Sequence, residues 1–134
     1  MKTWVIICSI SIFNLACGQQ RKQQRVNIQS NIEKERLSLK NAAFCGCLDK
    51  SFPQKDSIFV NEGSAAGYLE LGSYSIEAYN KVMEAGANHA KIKYSSKYNR
   101  DLSIMKCLDF YNSKELDDLV KSLDSELSLD DLKK

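Results

Sequence analysis

Residues 65–82, AAGYLELGSYSIEAYNKV, contain the end of one helix, a short connection and the start of a second helix. Alanines and apolar residues lead into Gly72, which predicts a helix that ends on glycine in the left-handed conformation. Ser73 or Ser75 can cap the first amides of the following helix, and Glu77 in its first turn favours the positive end of the helix dipole. The stretch therefore predicts two antiparallel or steeply crossed helices joined by about three residues.

The composition is that of one small domain with a largely helical fold. Hydrophobic residues make up 43% and charged residues 27% of the 134 residues, which argues against disorder of the whole chain. A single proline, Pro53, and many Lys, Glu, Leu and Ala residues favour helices over a sheet. The formal charge of +2 is too balanced for a protein that binds nucleic acid.

Residues 1–18 have the pattern of an export signal, with a basic start followed by the apolar run WVIICSISIFNLA. This run is short for a membrane span. The end of the signal has two interpretations. The sequence LACG resembles a lipobox, which makes Cys17 a lipidated N-terminus and anchors the protein to a membrane. Alternatively, Ala16-x-Gly18 is a cleavage site between small residues. Both interpretations predict a periplasmic protein.

The rest of the chain divides into a polar arm and a helical domain. Residues 19–30 are Gln-rich and basic, and predict a flexible arm. Residues 31–134 predict an all-α fold, a compact bundle of about five helices that follows the N-terminal signal segment. The predicted helices are 31–51, a second helix capped by Asp56 or Ser57 and ending at Gly72, 76–92, a fourth from Leu102 or Ser103 to Tyr111, and a fifth capped by Ser113.

Helical spacing of apolar residues predicts the buried face of each helix. Small residues toward the end of the third helix predict a close approach to the backbone of another helix. The predicted core residues are Leu37, Phe44, Cys47 and Leu48 in the first helix, Ile76, Tyr79, Val82, Met83, Ala87 and Ala90 in the third, Ile104, Met105, Cys107, Leu108 and Tyr111 in the fourth, and Leu116, Leu119, Val120, Leu123 and Leu127 in the fifth.

Three cysteines, Cys45, Cys47 and Cys107, follow the signal and would lie in an oxidising compartment. Cys47 and Cys107 both fall on predicted core faces, so we expect a disulfide between them. Closing a loop of this size stabilises a fold by about 4 kcal/mol in the chain-entropy model. Cys45 has three interpretations, namely a buried thiol, an alternative partner of Cys107, or an intermolecular link.

The sequence argues against a metal site, a cofactor site or catalysis. Cys45-x-Cys47 is a soft-metal pattern, but it has no second thiol pair and no Met-rich cluster nearby. His89 is the one conventional base for a cysteine hydrolase and has no motif around it. GxSxG, HExxH and P-loop motifs are absent from the sequence. We therefore expect no enzyme activity, no cofactor and no metal.

The segment between the third and fourth helices has the composition of a protein interface. It contains Tyr94, Ser95, Ser96, Lys97 and Tyr98. Tyrosine supplies rigid, amphipathic contact area and serine supplies adaptable hydrogen bonds. Basic residues flank the segment, which suits an acidic partner surface. The alternative is an ordinary solvent loop whose tyrosines fold back on the domain.

Several ordered segments resemble one family of proteins. These segments are AAGYLELG (65–72), SIEAY (75–79), YSSK (94–97), MKCLD (105–109) and SKELD (113–117). They resemble the type VI secretion amidase immunity proteins, small helical periplasmic proteins that neutralise a cell-wall amidase delivered by a rival bacterium. The resemblance implies an all-helical homodimer, a disulfide at Cys47 and Cys107, and a protruding loop that enters the cysteine-centred cleft of the amidase. It does not identify the loop, for which we predict Tyr94–Tyr98.

The chain departs from that family pattern in two respects, and two alternative functions are also considered. Cys45 is an additional cysteine, and the lead-in before Ala42 is longer than expected. The long lead-in and Cys17 favour a membrane-anchored form. The first alternative is therefore an envelope lipoprotein that binds another protein partner. The second alternative is a small thiol hydrolase or redox protein that uses Cys45 or Cys47.

Overall fold

A computed structural model describes residues 4–52, 63–128 and 130, with side chains described from residue 22 onward. In these ranges the chain forms helices and a short 3₁₀ turn, and its only β pairing is an isolated bridge between Tyr74 and Leu127. The structure confirms the predicted all-α fold. The helices are α1 (Trp4–Ser51), α2 (Ser64–Leu71), α3 (Ile76–His89), α4 (Ser103–Tyr111) and α5 (Lys114–Ser122), followed by the 3₁₀ turn (Asp124–Glu126).

The chain contains two compact units, Met1–Glu33 and Lys34–Lys134. In the first unit the described residues belong to α1, which begins at Trp4 and not at the predicted Asn31. Residues 22–30 are exposed, and their Gln and Arg side chains favour helix. Their helix also has hydrogen bonds between side chains four residues apart, as from Gln23 to Asn27. No helix in the described ranges is long and apolar enough to span a membrane.

The second unit contains the hydrophobic core, to which α1, α3, α4 and α5 contribute. Its largest fully buried apolar side chains include Tyr79 and Phe110. Burying a side chain of this kind contributes about 1.5–3 kcal/mol. The buried apolar residues are Leu39, Ala42, Ala43, Cys47, Tyr74, Ala78, Tyr79, Val82, Ala90, Cys107, Phe110, Leu116, Val120, Leu123 and Leu127.

Helices α1 and α3 approach each other closely through glycine. A Cβ atom added to Gly86 would lie 2.1 Å from the carbonyl oxygen of Ala43. From the other side, a Cβ on Gly46 would lie 2.6 Å from the carbonyl oxygen of Met83. The predicted close approach of the end of α3 to another helix backbone is therefore confirmed, and α1 is that helix.

A disulfide joins Cys47 of α1 to Cys107 of α4, as predicted, with their Cα atoms 5.7 Å apart. It links residues separated by 60 positions in the sequence. Cys45 lies outside this disulfide and is partly buried.

Five predicted core residues are exposed in the structure. In α1 the buried face is formed by Leu39, Ala42, Ala43 and Cys47, so Leu37 lies on another side and is 48% exposed. In α4 the buried residues are Lys106, Cys107 and Phe110, so the other sides of this helix are exposed. The predictions were wrong for Leu37, Ile76, Ile104, Met105 and Leu108.

The connection between α2 and α3 differs from the prediction in the conformation of Gly72. Gly72 is extended, with φ −88° and ψ 164°, and is not left-handed. Glycine is needed there for space, since a Cβ would lie 2.8 Å from the backbone carbonyl oxygen of Tyr68 and 1.7 Å from the hydroxyl oxygen of the buried Tyr79. Ser75 caps α3 as predicted, accepting a hydrogen bond from the Ala78 amide at 3.1 Å. The predicted caps Asp56 and Ser57 lie outside the described residues.

The 3₁₀ turn and the residues after it form hydrogen bonds with the connection between α2 and α3. The Ser75 hydroxyl donates to Glu126 at 2.7 Å, and the Ser128 amide donates to the Ser73 carbonyl at 3.0 Å. Arg36 of α1 forms an ion pair with Asp124, which also accepts a hydrogen bond from the Tyr74 hydroxyl at 3.0 Å. Helix α1, the α2–α3 connection and the C-terminal residues are thus held together by these contacts.

Candidate partner-binding surface

The predicted partner-binding residues all lie on one loop between α3 and α4. Helix α3 ends at His89, earlier than the predicted Ile92, and α4 begins at Ser103. Ser95, Lys97 and Tyr98 are exposed, and the Tyr98 side chain is 74% exposed. Tyr94 and Ser96 are half-buried. We call residues 93–101 the α3–α4 loop.

The tip of the α3–α4 loop is a hydrogen-bonded turn. Ser96 accepts from the Tyr98 amide through its hydroxyl at 3.3 Å and from the Asn99 amide through its carbonyl at 3.2 Å. Asn99 has φ 52°, a left-handed conformation that Asn tolerates better than most residues. The Lys97 ammonium lies 5.6 Å from the centroid of the Tyr98 ring, within the range of a cation–π contact. The exposed side chains are therefore presented on an ordered turn.

Tyr94 is half-buried and lies near Asp109 of α4. Loss of solvent around its hydroxyl, together with its hydrogen bond to Asp109 and the charge of that carboxylate, raises the pKa of Tyr94. Tyr94 thus folds back on the domain, whereas Tyr98 does not. Of the two tyrosines, Tyr98 is the one available for a partner.

A buried lysine, Lys106, holds the first residues after α3. Its ammonium donates to the carbonyl of Ala90 at 2.5 Å and to that of Ile92 at 3.3 Å. At the other end of the loop, the Asp101 carboxylate accepts from the Ser103 amide at 2.8 Å. The hydrogen bonds from Ser103 lower the pKa of Asp101. Both ends of the loop are therefore anchored, and its tip is exposed.

The residues considered for metal binding or catalysis do not come together. Cys45 lines a groove of about 650 Å³ between α1, α2 and α3, together with Phe44, Tyr68 and Met83. His89 stacks on Phe110, with ring centroids 4.6 Å apart. Among the described residues, no group of three or more His, Cys, Asp or Glu side chains is placed to hold a metal ion.

Sequence reasoning predicted a surface loop between the third and fourth helices, where the structure has one, and it missed the buried Lys106. A lysine between Met105 and Cys107 has no motif that marks it as buried. The available signal was its position beside Cys107 and four residues before Phe110, both of which are buried.

The second unit is thus a disulfide-bonded helical unit that anchors both ends of an exposed loop containing Tyr and Ser residues. Residues 38–120 of the 134 match the family Tai4, described as type VI secretion system (T6SS), amidase immunity protein. Because the match covers more than half of the chain, this protein belongs to that family. The matched residues include both disulfide cysteines and the whole α3–α4 loop. No curated protein and no solved structure matches the chain significantly.

Proposed function

We propose that this protein binds a type VI secreted peptidoglycan amidase and blocks its active-site cleft with residues Tyr94–Tyr98. The observation that carries the proposal is the anchored loop with an exposed tip, within a chain of the amidase immunity family. A loop that is already ordered loses less conformational entropy on binding. Steric blocking needs no catalytic group on this chain, in keeping with an immunity family rather than an enzyme.

The exposed tip has the chemistry of an interface centre. Tyr98 is 74% exposed and offers a large amphipathic ring, the kind of side chain found at binding hot spots. Lys97, also exposed, adds a charge beside that ring. In the proposed complex these two side chains enter the cleft of the amidase, while Tyr94 keeps the loop attached to α4.

Immunity to a cell-wall amidase places the protein in the periplasm. The Cys47–Cys107 disulfide suits that oxidising compartment. A lipid anchor on Cys17 and a homodimer remain predictions. Mass spectrometry of the mature protein tests the lipid, and sedimentation equilibrium tests the dimer.

Co-purification with the product of the neighbouring gene tests the function. We expect a stable complex and loss of amidase activity against cell-wall fragments. A neighbouring gene product that is not an amidase, together with a complex formed with some other envelope protein, would favour the alternative of a lipoprotein binding module. Thiol counting with and without reductant tests the thiol-enzyme alternative, which requires reduced cysteines and activity on cell-wall fragments.

A further inference from the structure

We propose that the base of the α3–α4 loop is a cleft that receives an acidic side chain of the amidase, through Lys93, Arg100 and the buried Lys106. This inference rests on the proposed function and adds a second element to it. The tip of the loop enters the partner, and the base of the loop accepts a carboxylate from the partner.

The cleft lies between the two ends of the loop. It has a volume of about 340 Å³ and is lined by residues 90–94 from one end, by residues 100–103 from the other, and by Lys106 below them. It is thus part of the surface that carries the exposed tip. A protein that surrounds the tip would bring its own side chains to this cleft.

The charge of the cleft is strongly positive. Four cations and one carboxylate line it, and the carboxylate, Asp101, already caps α4 through the Ser103 amide. Lys91 donates to Asn88 at 2.7 Å. In the described part of the chain, neither Lys93 nor Arg100 makes a hydrogen bond or an ion pair, and both are exposed. Two cations at the mouth of the cleft are therefore available for an anion.

Lys106 supplies the independent observation that points to an anionic ligand. Lys106 is only 9% exposed. Its ammonium has two neutral acceptors, the carbonyls of Ala90 and Ile92. An ammonium has three N–H donors, so one remains without an acceptor among the described residues. Lysine is rarely buried without an anion to pair with. A carboxylate entering the cleft would supply the missing acceptor and would add to the single negative charge of Asp101, which lines the same cleft.

A protein carboxylate fits this site better than a small free anion. The cleft is open to solvent where Lys93 and Arg100 lie, and it adjoins the tip that is proposed to enter the amidase. Charge complementarity at the edge of an interface raises the association rate and fixes the relative orientation of the partners. The carboxylate of an Asp or Glu at the rim of the amidase cleft is therefore the proposed ligand.

The test is binding of the full-length protein to the amidase encoded by the neighbouring gene, by titration calorimetry at several salt concentrations. The variants are Lys93→Glu/Arg100→Glu and its charge-removing counterpart Lys93→Gln/Arg100→Gln. The control is Lys34→Glu/Lys121→Glu, which reverses two exposed lysines and changes the net charge by the same amount. We expect the charge-reversed protein to bind at least about tenfold more weakly, and the Gln variant to lose salt dependence. The control should bind like the wild type. Because the two substituted side chains are exposed, circular dichroism should confirm unchanged folding.

The outcomes separate the cleft from the proposed function. If the wild type does not bind the amidase, the proposed function is wrong. If the wild type binds and the charge-reversed variant binds equally well, the function stands and the carboxylate cleft is wrong. Equal weakening by Lys34→Glu/Lys121→Glu would likewise overturn the cleft, since the effect would then come from net charge alone.

Discussion

The ammonium nitrogen of Lys106 in α4 lies 2.5 Å from the carbonyl oxygen of Ala90, the first residue after α3. This hydrogen bond joins the helix that follows the α3–α4 loop to the helix that precedes it. The disulfide between Cys47 and Cys107 holds α4 against α1 at the neighbouring position. The geometry of the loop is therefore determined by the core immediately beneath it.

Replacing Lys106 with Met should loosen the loop. Charged hydrogen bonds of this kind contribute about 1.5–3 kcal/mol, and the carbonyls of Ala90 and Ile92 would lose their donor. We expect faster hydrogen exchange at the amides of residues 91–100, while the amides of α5 keep their rates. The control is Lys91→Met, since Lys91 bonds only to Asn88 at the surface. Unchanged exchange in the Lys106 variant would show that it does not position the loop.

Alanine at position 86 should destabilise the fold. The added Cβ would lie 2.1 Å from the Ala43 carbonyl oxygen, so α1 and α3 would have to separate. We expect a loss of about 1–3 kcal/mol in the free energy of unfolding, measured with urea. Gly67 in α2 is the matched control, because nothing lies within 4 Å of its Cβ position. There, alanine should stabilise by about 0.5–1 kcal/mol. Equal effects at both sites would contradict the close helix contact.

Removing the disulfide should destabilise the fold by about 4 kcal/mol, because the bridge closes a long loop of the unfolded chain. Cys47→Ser, Cys107→Ser and the double variant should lose similar amounts, since each removes the same bridge. Urea unfolding with and without reductant measures this loss. A wild-type protein that is equally stable under both conditions would show that the bridge contributes little.

The hydrogen bond from Arg36, with a further one from Tyr74, holds the pKa of Asp124 below its usual range. The pKa of Tyr74 is raised, mainly by burial and then by this contact with Asp124. The folded pKa of Asp124 lies below the unfolded value of about 3.9. The contribution of this carboxylate to the free energy of unfolding is therefore fully present at pH values above about 3.9. It is lost as the pH falls through the folded pKa.

Asp124→Asn should therefore lower the stability near neutral pH by about 1 kcal/mol and reduce the loss of stability on acidification. The measurement is the free energy of unfolding of both proteins between pH 2 and pH 7. Asp117 and Glu126 also have lowered pKa values, mainly through hydrogen bonds from Lys40 and Lys81. Both remain in the variant, so the difference isolates Asp124. Parallel curves for the two proteins would contradict the assignment.

Local signals in the sequence predicted much of the fold. Ser75 and Ser113 were expected to cap helices, and each accepts a hydrogen bond from the amide three residues later. The disulfide was found because Cys47 and Cys107 both lie on buried faces. Helix caps and buried helix faces depend on the spacing of residues within one helix, and this spacing is visible in a single sequence.

Several other features that depend on contacts between helices were not predicted correctly. Helix α4 has nine residues with apolar side chains on several sides, so its periodicity did not decide which side is buried. Ile104, Met105 and Leu108 were therefore assigned to the core, and they are exposed. Gly72 is extended, and the space for a Cβ there is taken by the Tyr79 hydroxyl, a tertiary contact that has no local signature.

The most direct test of the proposed function compares the wild type with a loop variant in which Tyr94, Ser95, Lys97 and Tyr98 are replaced by alanine or glycine. The measurement is the dissociation constant for the amidase encoded by the neighbouring gene, with inhibition of its activity on cell-wall fragments as a second readout. We predict that the loop variant folds like the wild type and loses both binding and inhibition. Unchanged tight binding by a folded loop variant would contradict the assignment of this loop.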